Sequence, residues 1–224
     1  MVVLNALKFT NAVPYIANDV LEKHAESAVR GYSPECLHSP GNFDVLGFLQ
    51  SYLGLSVVCH TLGYGGKLLG MTAFRDGYVQ VLKNGTSHTK AIRAGTVVLD
   101  SSLQAKRNLP RLRFTAAHEA AHWLLHRKIF AANCDHMEHQ ADFLASAILM
   151  PLPAVRVAYK SFFADMGAKP RPLVRGRGES DNSIAWALSG FVANLFGVSK
   201  RAALIRLEKL NAIIYKGVLW RKIS

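Results

Sequence analysis

Two histidines and a glutamate stand at a spacing that can bind and use a metal ion. His118, Glu119 and His122 form an H-E-x-x-H motif within a segment of helical character. Residues four apart lie about one turn apart on the same helix face, so both imidazoles can reach one ion. The pattern is typical of a tetrahedral zinc peptidase. It predicts zinc-dependent peptide hydrolysis, with Glu119 as general base on zinc-bound water.

A zinc site of this class takes a third protein ligand and keeps its fourth position open for water. The extended pattern H-E-x-x-H-x-x-G-x-x-H would supply a histidine locally, but Leu125 and Lys128 occupy its last two fixed positions. The third ligand must therefore come from another element.

Glu138, in the next predicted helix, is one candidate for that ligand. It shares a helix face with Asp142, so a pair of helices could set Glu138 opposite the motif histidines. Asp142 would then hold a ligand histidine by its other ring nitrogen. On spacing alone, alternatives stay open. His136 or His139 could be the ligand, and Glu138 could simply be the capping-box partner of Asp135.

Further roles near the motif are less determined by the sequence. A donor should stabilise the tetrahedral oxyanion, and Tyr159, His126 and Arg113 are candidates. His126 lies one more turn along the first helix, where it could instead pack or hydrogen-bond locally. Cys134 could be redox-sensitive, although a small buried thiol is the more ordinary interpretation.

The motif residues require a helix pair to position them. The first helix is predicted over 110–128, with Pro110 in its first turn. The second is predicted over 135–150 and ends at Pro151. We therefore expect an active-site helix pair.

Short β-rich runs precede the helix pair and predict a small antiparallel sheet. These runs are 55–62, 68–74, 78–82 and 96–99. Arg75-Asp76-Gly77 predicts a hairpin between the second and third runs, and Asn84-Gly85 marks a further turn. The expected fold class is α+β and mostly helical.

Composition divides the chain into three parts. Residues 1–166 contain the motif and its predicted supporting elements. Residues 167–182 hold prolines, glycines and arginines with almost no large apolar side chain, which predicts a flexible loop. Residues 183–224 predict a helical segment packed on the same domain.

Charge and composition limit the classes of function. The net charge is +12, and residues 101–224 carry 19 basic against 8 acidic side chains. Such a basic half is most often a solvated face, although it can attract an acidic protein or nucleic acid. We expect no membrane span and no signal peptide. The three widely spaced cysteines predict reduced thiols in a cytoplasmic protein.

Two blocks of sequence resemble the ImmA/IrrE-type metallopeptidases. Residues 113–126 (RFTAAHEAAHWLLH) are similar to the family pattern R-F-T-x-A-H-E-x-x-H-x-x-x-H. Residues 138–151 (EHQADFLASAILMP) are similar to E-x-x-A-[ND]-x-F-A-x-x-L-L-M-P, with Leu144 in place of the usual phenylalanine. The two blocks lie within a segment of about 40 residues, 113–151, and together they are far more specific than the short motif alone.

The resemblance implies a zincin-like fold with Glu138 as third zinc ligand. It also implies a role in transcription regulation, because known members cleave a partner repressor with a helix-turn-helix domain. No such domain is evident here, so the repressor would be a separate polypeptide. The alternative hypothesis is a regulatory protein that binds metal or DNA without cleavage; nucleic acid is not the primary partner expected.

Overall fold

The computed structural model describes residues 13–129, 135–176 and 179–215. The chain forms two compact units. The first consists of Met1–Ser27 and Asp44–Ala145, and the second of Ala28–Phe43 and Ser146–Ser224. The helices that lie wholly or partly in the first unit are α1 (Asn18–Tyr32), α2 (Val45–Gly47), α3 (Leu109–His126) and α4 (Asp135–Leu149). Its strands are β1 (Ser56–His60), β2 (Gly70–Ala73), β3 (Gly77–Lys83), β4 (Thr86–Ile92) and β5 (Thr96–Asp100).

A three-stranded sheet supports the first unit, in the order β1-β5-β2. The central strand β5 is buried along its whole length, as expected for a Val- and Leu-rich strand covered on both faces. β2 runs antiparallel to β5, with Gly70 opposite Leu99. β1 runs parallel to β5. The predicted small antiparallel sheet is therefore wrong for β1, which pairs in parallel with β5 because β2, β3 and β4 lie between these two strands in the chain.

β3 and β4 form a separate hairpin. Its turn is Asn84-Gly85, and both residues have positive φ values, 52° and 78°. This backbone is the one that Asn-Gly turns favour, which confirms the predicted turn. The hairpin predicted at Arg75-Asp76-Gly77 is wrong, since β2 and β3 each pair with another strand.

Helix α3 carries the motif and packs against β2 and β5. Pro110 lies in its first turn, as predicted. Four alanines of α3 are fully buried, and their short side chains allow neighbouring elements to come close to the helix backbone. These residues are Ala116, Ala117, Ala120 and Ala121. The second motif helix, α4, ends before Pro151.

The second unit is mostly helical. Its main elements are α5 (Leu152–Asp165), β6 (Leu173–Arg175), α6 (Glu179–Phe196), α7 (Lys200–Lys209) and β7 (Ile213–Tyr215). β6 and β7 pair in parallel. The segment 167–182, predicted as a flexible loop, therefore contains regular structure, namely β6 and the start of α6. Its one large apolar side chain in β6 that is fully buried, Leu173, holds the segment in the core. The division of domains at 166 and 182 stays a prediction.

The arginines around β6 form ion pairs within the second unit. Arg171 makes a two-point contact with Asp181, with nitrogen–oxygen distances of 2.6 and 3.1 Å. The same carboxylate accepts the backbone N–H of Val174 at 2.9 Å. Arg175 bonds Glu208 at 3.3 Å and stacks on the ring of Tyr215. These guanidinium groups are thus committed to local contacts.

Within the described ranges, no single helix is long and apolar enough to cross a membrane. Helices α4 and α5 satisfy the length and composition test only when taken together, and they are bent by 59° at their junction.

Candidate metal centre

Three donor groups from α3 and α4 meet in the first unit. The Nε2 atoms of His118 and His122 lie 2.9 Å apart. The Glu138 carboxylate approaches them at 3.1 Å from His118 and 3.4 Å from His122. In a tetrahedral zinc site with bonds of about 2.0–2.1 Å, neighbouring donor atoms are roughly 3.3 Å apart. The three residues could therefore hold one metal ion between them.

His118 is oriented by an acidic neighbour. Its Nδ1 atom lies 2.9 Å from Asp142 Oδ1, which leaves Nε2 directed at the donor cluster. Burial favours the neutral ring, but the bond to Asp142 and the surrounding carboxylates outweigh it, so the pKa of His118 is raised. A carboxylate on the outer ring nitrogen is a common support for a metal-binding histidine.

His122 has a different environment. Its Nδ1 atom lies 3.0 Å from Nδ1 of His126, a fully buried residue one turn further along α3. Burial, together with the positive charge of His118, lowers the pKa of His122 to about 4. The ring is therefore neutral in the metal-free protein, the state in which an imidazole can bind a metal.

Glu119 lies beside the cluster on the side facing β2. Its side chain is only 6% exposed. Thr72 donates a hydrogen bond from Oγ1 to Glu119 Oε2 at 2.8 Å and also contacts the Glu119 carbonyl at 3.2 Å. Burial raises the pKa of Glu119 to about 7, against the opposing effects of the Thr72 hydroxyl and the His118 charge.

Gly70 allows β2 to come this close to α3. A Cβ atom at position 70 would lie 2.7 Å from Thr115 Cγ2 and 2.8 Å from Glu119 Oε1. Real Cβ atoms do not approach other heavy atoms so closely. Any side chain at this position would therefore have to displace the Glu119 carboxylate or the Thr115 methyl group.

A cavity of about 380 Å³ opens onto the donor cluster within the first unit. His118, Glu119, His122 and Glu138 line it on one side. Apolar and basic side chains from the β2 region and from the helix pair complete its wall. These are Leu68, Met71, Phe74, Arg75, Ile129 and Met137. A cleft of this composition can hold apolar groups of a ligand beside the donor cluster.

The structure brings some of the predicted residues together and keeps others apart. The alternative ligands His136 and His139 are exposed and lie outside the His118/His122/Glu138 cluster. Among the oxyanion candidates, His126 is buried and bonded to neighbouring side chains, and the Tyr159 hydroxyl donates to the Arg171 carbonyl. Cys134 lies outside the described residues.

Sequence reasoning missed three residues that contact this site: Gly70, Thr72 and Gln140. Gly70 and Thr72 precede the motif by more than 40 residues, and although they lie in the predicted β-rich run 68–74, nothing in that run indicates a contact with the motif. Gln140 stands within the second block of sequence, but nothing in its type or spacing indicated a contact. These three residues become visible as neighbours of the site only when β2 and α4 are packed against α3 in the structure.

Comparison with known proteins adds one finding. A family model for peptidase M78, described as the IrrE N-terminal-like domain, matches residues 81–208. The matched range covers more than half of the chain and includes both motif helices. Strand β2 lies before it. No curated protein matches the chain.

Proposed function

The chain belongs to the peptidase M78 family with its IrrE N-terminal-like domain, and on that premise we propose that it is a zinc-dependent endopeptidase with a zincin-like fold. The observation that carries the proposal is the convergence of His118, His122 and Glu138 on the wall of an open cleft. Two imidazoles and one carboxylate are a donor set used by catalytic zinc, whereas structural zinc sites close all four positions.

In this proposal Glu119 is the catalytic residue of the chain. Bound zinc would supply Lewis-acid polarisation of the scissile carbonyl and activation of water. Glu119 accepts the proton of the attacking water and delivers it to the leaving amine. Thr72 holds the carboxylate through Oε2, so its orientation is set before substrate arrives. A base fixed in this way loses less rotational freedom as the reaction proceeds.

Gly70 should be needed for the correct position of that base. We expect Gly70→Ala to retain zinc and slow cleavage by about 100-fold, since a misplacement of about 1 Å can have such an effect on rate. The added methyl group should also lower the free energy of unfolding by about 1–3 kcal/mol through overpacking. Cleavage rates, zinc content and denaturant unfolding measure the three effects.

Gly77→Ala is the matched control, because a Cβ at that strand position meets no atom within 4 Å. It should cleave at the rate of the unmodified protein. Equal rates for the two variants would contradict a role for Gly70 in placing Glu119.

We propose as substrate a separate transcriptional repressor with a helix-turn-helix domain, and a cytoplasmic location. Family membership supports the first part, and the 19 basic against 8 acidic residues of the second half suit an acidic partner surface. The free thiols Cys36 and Cys59 suit a reducing compartment. The alternative, a regulatory protein that binds metal or DNA without cleavage, is less favoured. Metal binding alone does not require Glu119, and Arg171 and Arg175 are engaged in ion pairs.

The test compares cleavage of unfolded casein with cleavage of a genetically linked helix-turn-helix repressor. We expect the repressor to be cut at one bond and casein to be cut slowly. If charge recruits the repressor, its cleavage should weaken as salt rises, since exposed charges are screened within about 10 Å at 0.1 M ionic strength. Rapid casein digestion with an intact repressor would contradict the proposed substrate. Salt-independent repressor cleavage would contradict only the electrostatic part.

A further inference from the structure

A buried line of hydrogen bonds leads from His122 away from the donor cluster to a backbone carbonyl. His126 Nδ1 lies 3.0 Å from His122 Nδ1, and His126 Nε2 lies 3.0 Å from Gln140 Oε1. Gln140 Nε2 donates to the carbonyl oxygen of Pro14 at 2.8 Å. His122, His126 and Gln140 are at most 8% exposed.

The carbonyl of Pro14 determines the direction of this line. A carbonyl oxygen can only accept, so Gln140 must present its NH₂ group to Pro14 and its oxygen to His126. The Gln140 oxygen also only accepts, so His126 must carry a proton on Nε2. A neutral His126 then has a lone pair on Nδ1, which can only accept the proton of His122 Nδ1. The consequence is a lone pair on His122 Nε2, facing His118 and Glu138.

We propose that His126 and Gln140 are positioning residues that hold His122 in the tautomer able to bind zinc through Nε2. This inference rests on the zinc site of the proposed function. His118 obtains the same result from a carboxylate, Asp142, which is 61% exposed. Within the part of the chain that the structure describes, the outer nitrogen of His122 meets His126 rather than a carboxylate. The orientation of this neutral partner is set, through Gln140, by a backbone oxygen far away in the sequence.

The reverse arrangement would leave a conflict at the last link of the line, between Gln140 and the Pro14 carbonyl. If His122 carried its proton on Nε2, then His126 would have to donate from Nδ1 and accept at Nε2. Gln140 would then turn its NH₂ group to His126 and its oxygen to the Pro14 carbonyl, so that two acceptors would face each other at 2.8 Å. Buried polar groups rarely remain unpaired in this way.

The first experiment determines the tautomers directly in the metal-free protein, by long-range nitrogen–proton NMR of labelled histidine. At alkaline pH, where free imidazoles are neutral, we expect His122 to be protonated on Nδ1 and His126 on Nε2. Protonation of His122 on Nε2 would overturn the proposal. Because no zinc is present, this result is independent of whether the protein is a zinc peptidase.

The second experiment measures zinc affinity by competition with a chelator. Gln140→Met and His126→Leu should weaken zinc binding by about 10–100-fold, as is usual when a group that orients a metal ligand is removed. His126→Asn should keep most of the affinity, because its side-chain oxygen can take the place of the Nδ1 acceptor. Unchanged affinity in both of the first two variants would overturn the proposal.

Leu144→Val controls for packing, since Leu144 is fully buried on α4 and takes no part in the line. It should lower the melting temperature while leaving both zinc affinity and the His122 tautomer unchanged. An equal loss of affinity in Leu144→Val would overturn the proposal by assigning the effect to helix packing. Absence of zinc binding in the unmodified protein would instead contradict the proposed function, and the tautomers would still decide the inference.

Discussion

Glu119→Gln should leave zinc bound and reduce peptide cleavage by about 10²–10⁴-fold, the range that general acid–base catalysis typically contributes. The amide has nearly the same shape as the carboxylate, and its oxygen can still accept the hydrogen bond from Thr72. It cannot take a proton from water. Metal analysis of the purified variant and a single-turnover cleavage assay measure the two halves of the expectation.

Asp165→Asn is a suitable control for the same chemical change, because Asp165 is exposed at the end of α5. It should cleave at the original rate. Near-normal cleavage by Glu119→Gln would contradict the role of Glu119 as base. Loss of zinc in that variant would mean that Glu119 contributes to binding, in conflict with its orientation toward Thr72.

The family resemblance found in the sequence is confirmed by the match over residues 81–208. The α+β class is compatible with the helices and small sheets of the structure. The helix pair could be located because helical periodicity and proline boundaries are local signals. The pairing of the strands could not be predicted, because it depends on contacts between residues that are distant in the sequence. β4 illustrates the difficulty: nearly all of its residues are exposed and polar, so it lacks the alternation that identifies a half-buried strand.

The candidate site, too, could be predicted from the sequence only in part. The spacing of His118 and His122 predicts neighbouring rings on one helix face, and the ring centroids lie 4.6 Å apart. The position of Glu138 opposite them depends on how two helices meet, which is why spacing alone left His136 and His139 as alternatives. Thr72 and Gly70 reach Glu119 only because β2 comes close to α3 at Gly70, which has no side chain to keep the two elements apart. No local pattern encodes such an approach.

The second large effect is expected on zinc binding, when the donor that α4 places opposite α3 is removed. Glu138→Ala should weaken zinc binding by more than the roughly 10–100-fold that changes in ligand-orienting groups produce. The variant removes one of the three candidate donors, and His118 and His122 each lose a neighbour within 3.4 Å. Chelator competition gives the affinity, and the melting temperature with and without zinc gives an independent readout, since a ligand stabilises only the state that binds it.

His139→Ala provides the matched comparison, because His139 is adjacent to Glu138 on α4 but exposed and outside the donor cluster. It should bind zinc as tightly as the unmodified protein and retain the stabilisation that zinc confers. The reverse pattern, with zinc lost in His139→Ala and kept in Glu138→Ala, would transfer the third-ligand role to His139. It would also require α4 to turn by about 100° relative to α3, since adjacent helix residues point that far apart. The affinities of these two variants therefore test both the ligand assignment and the placement of the helices that supply it.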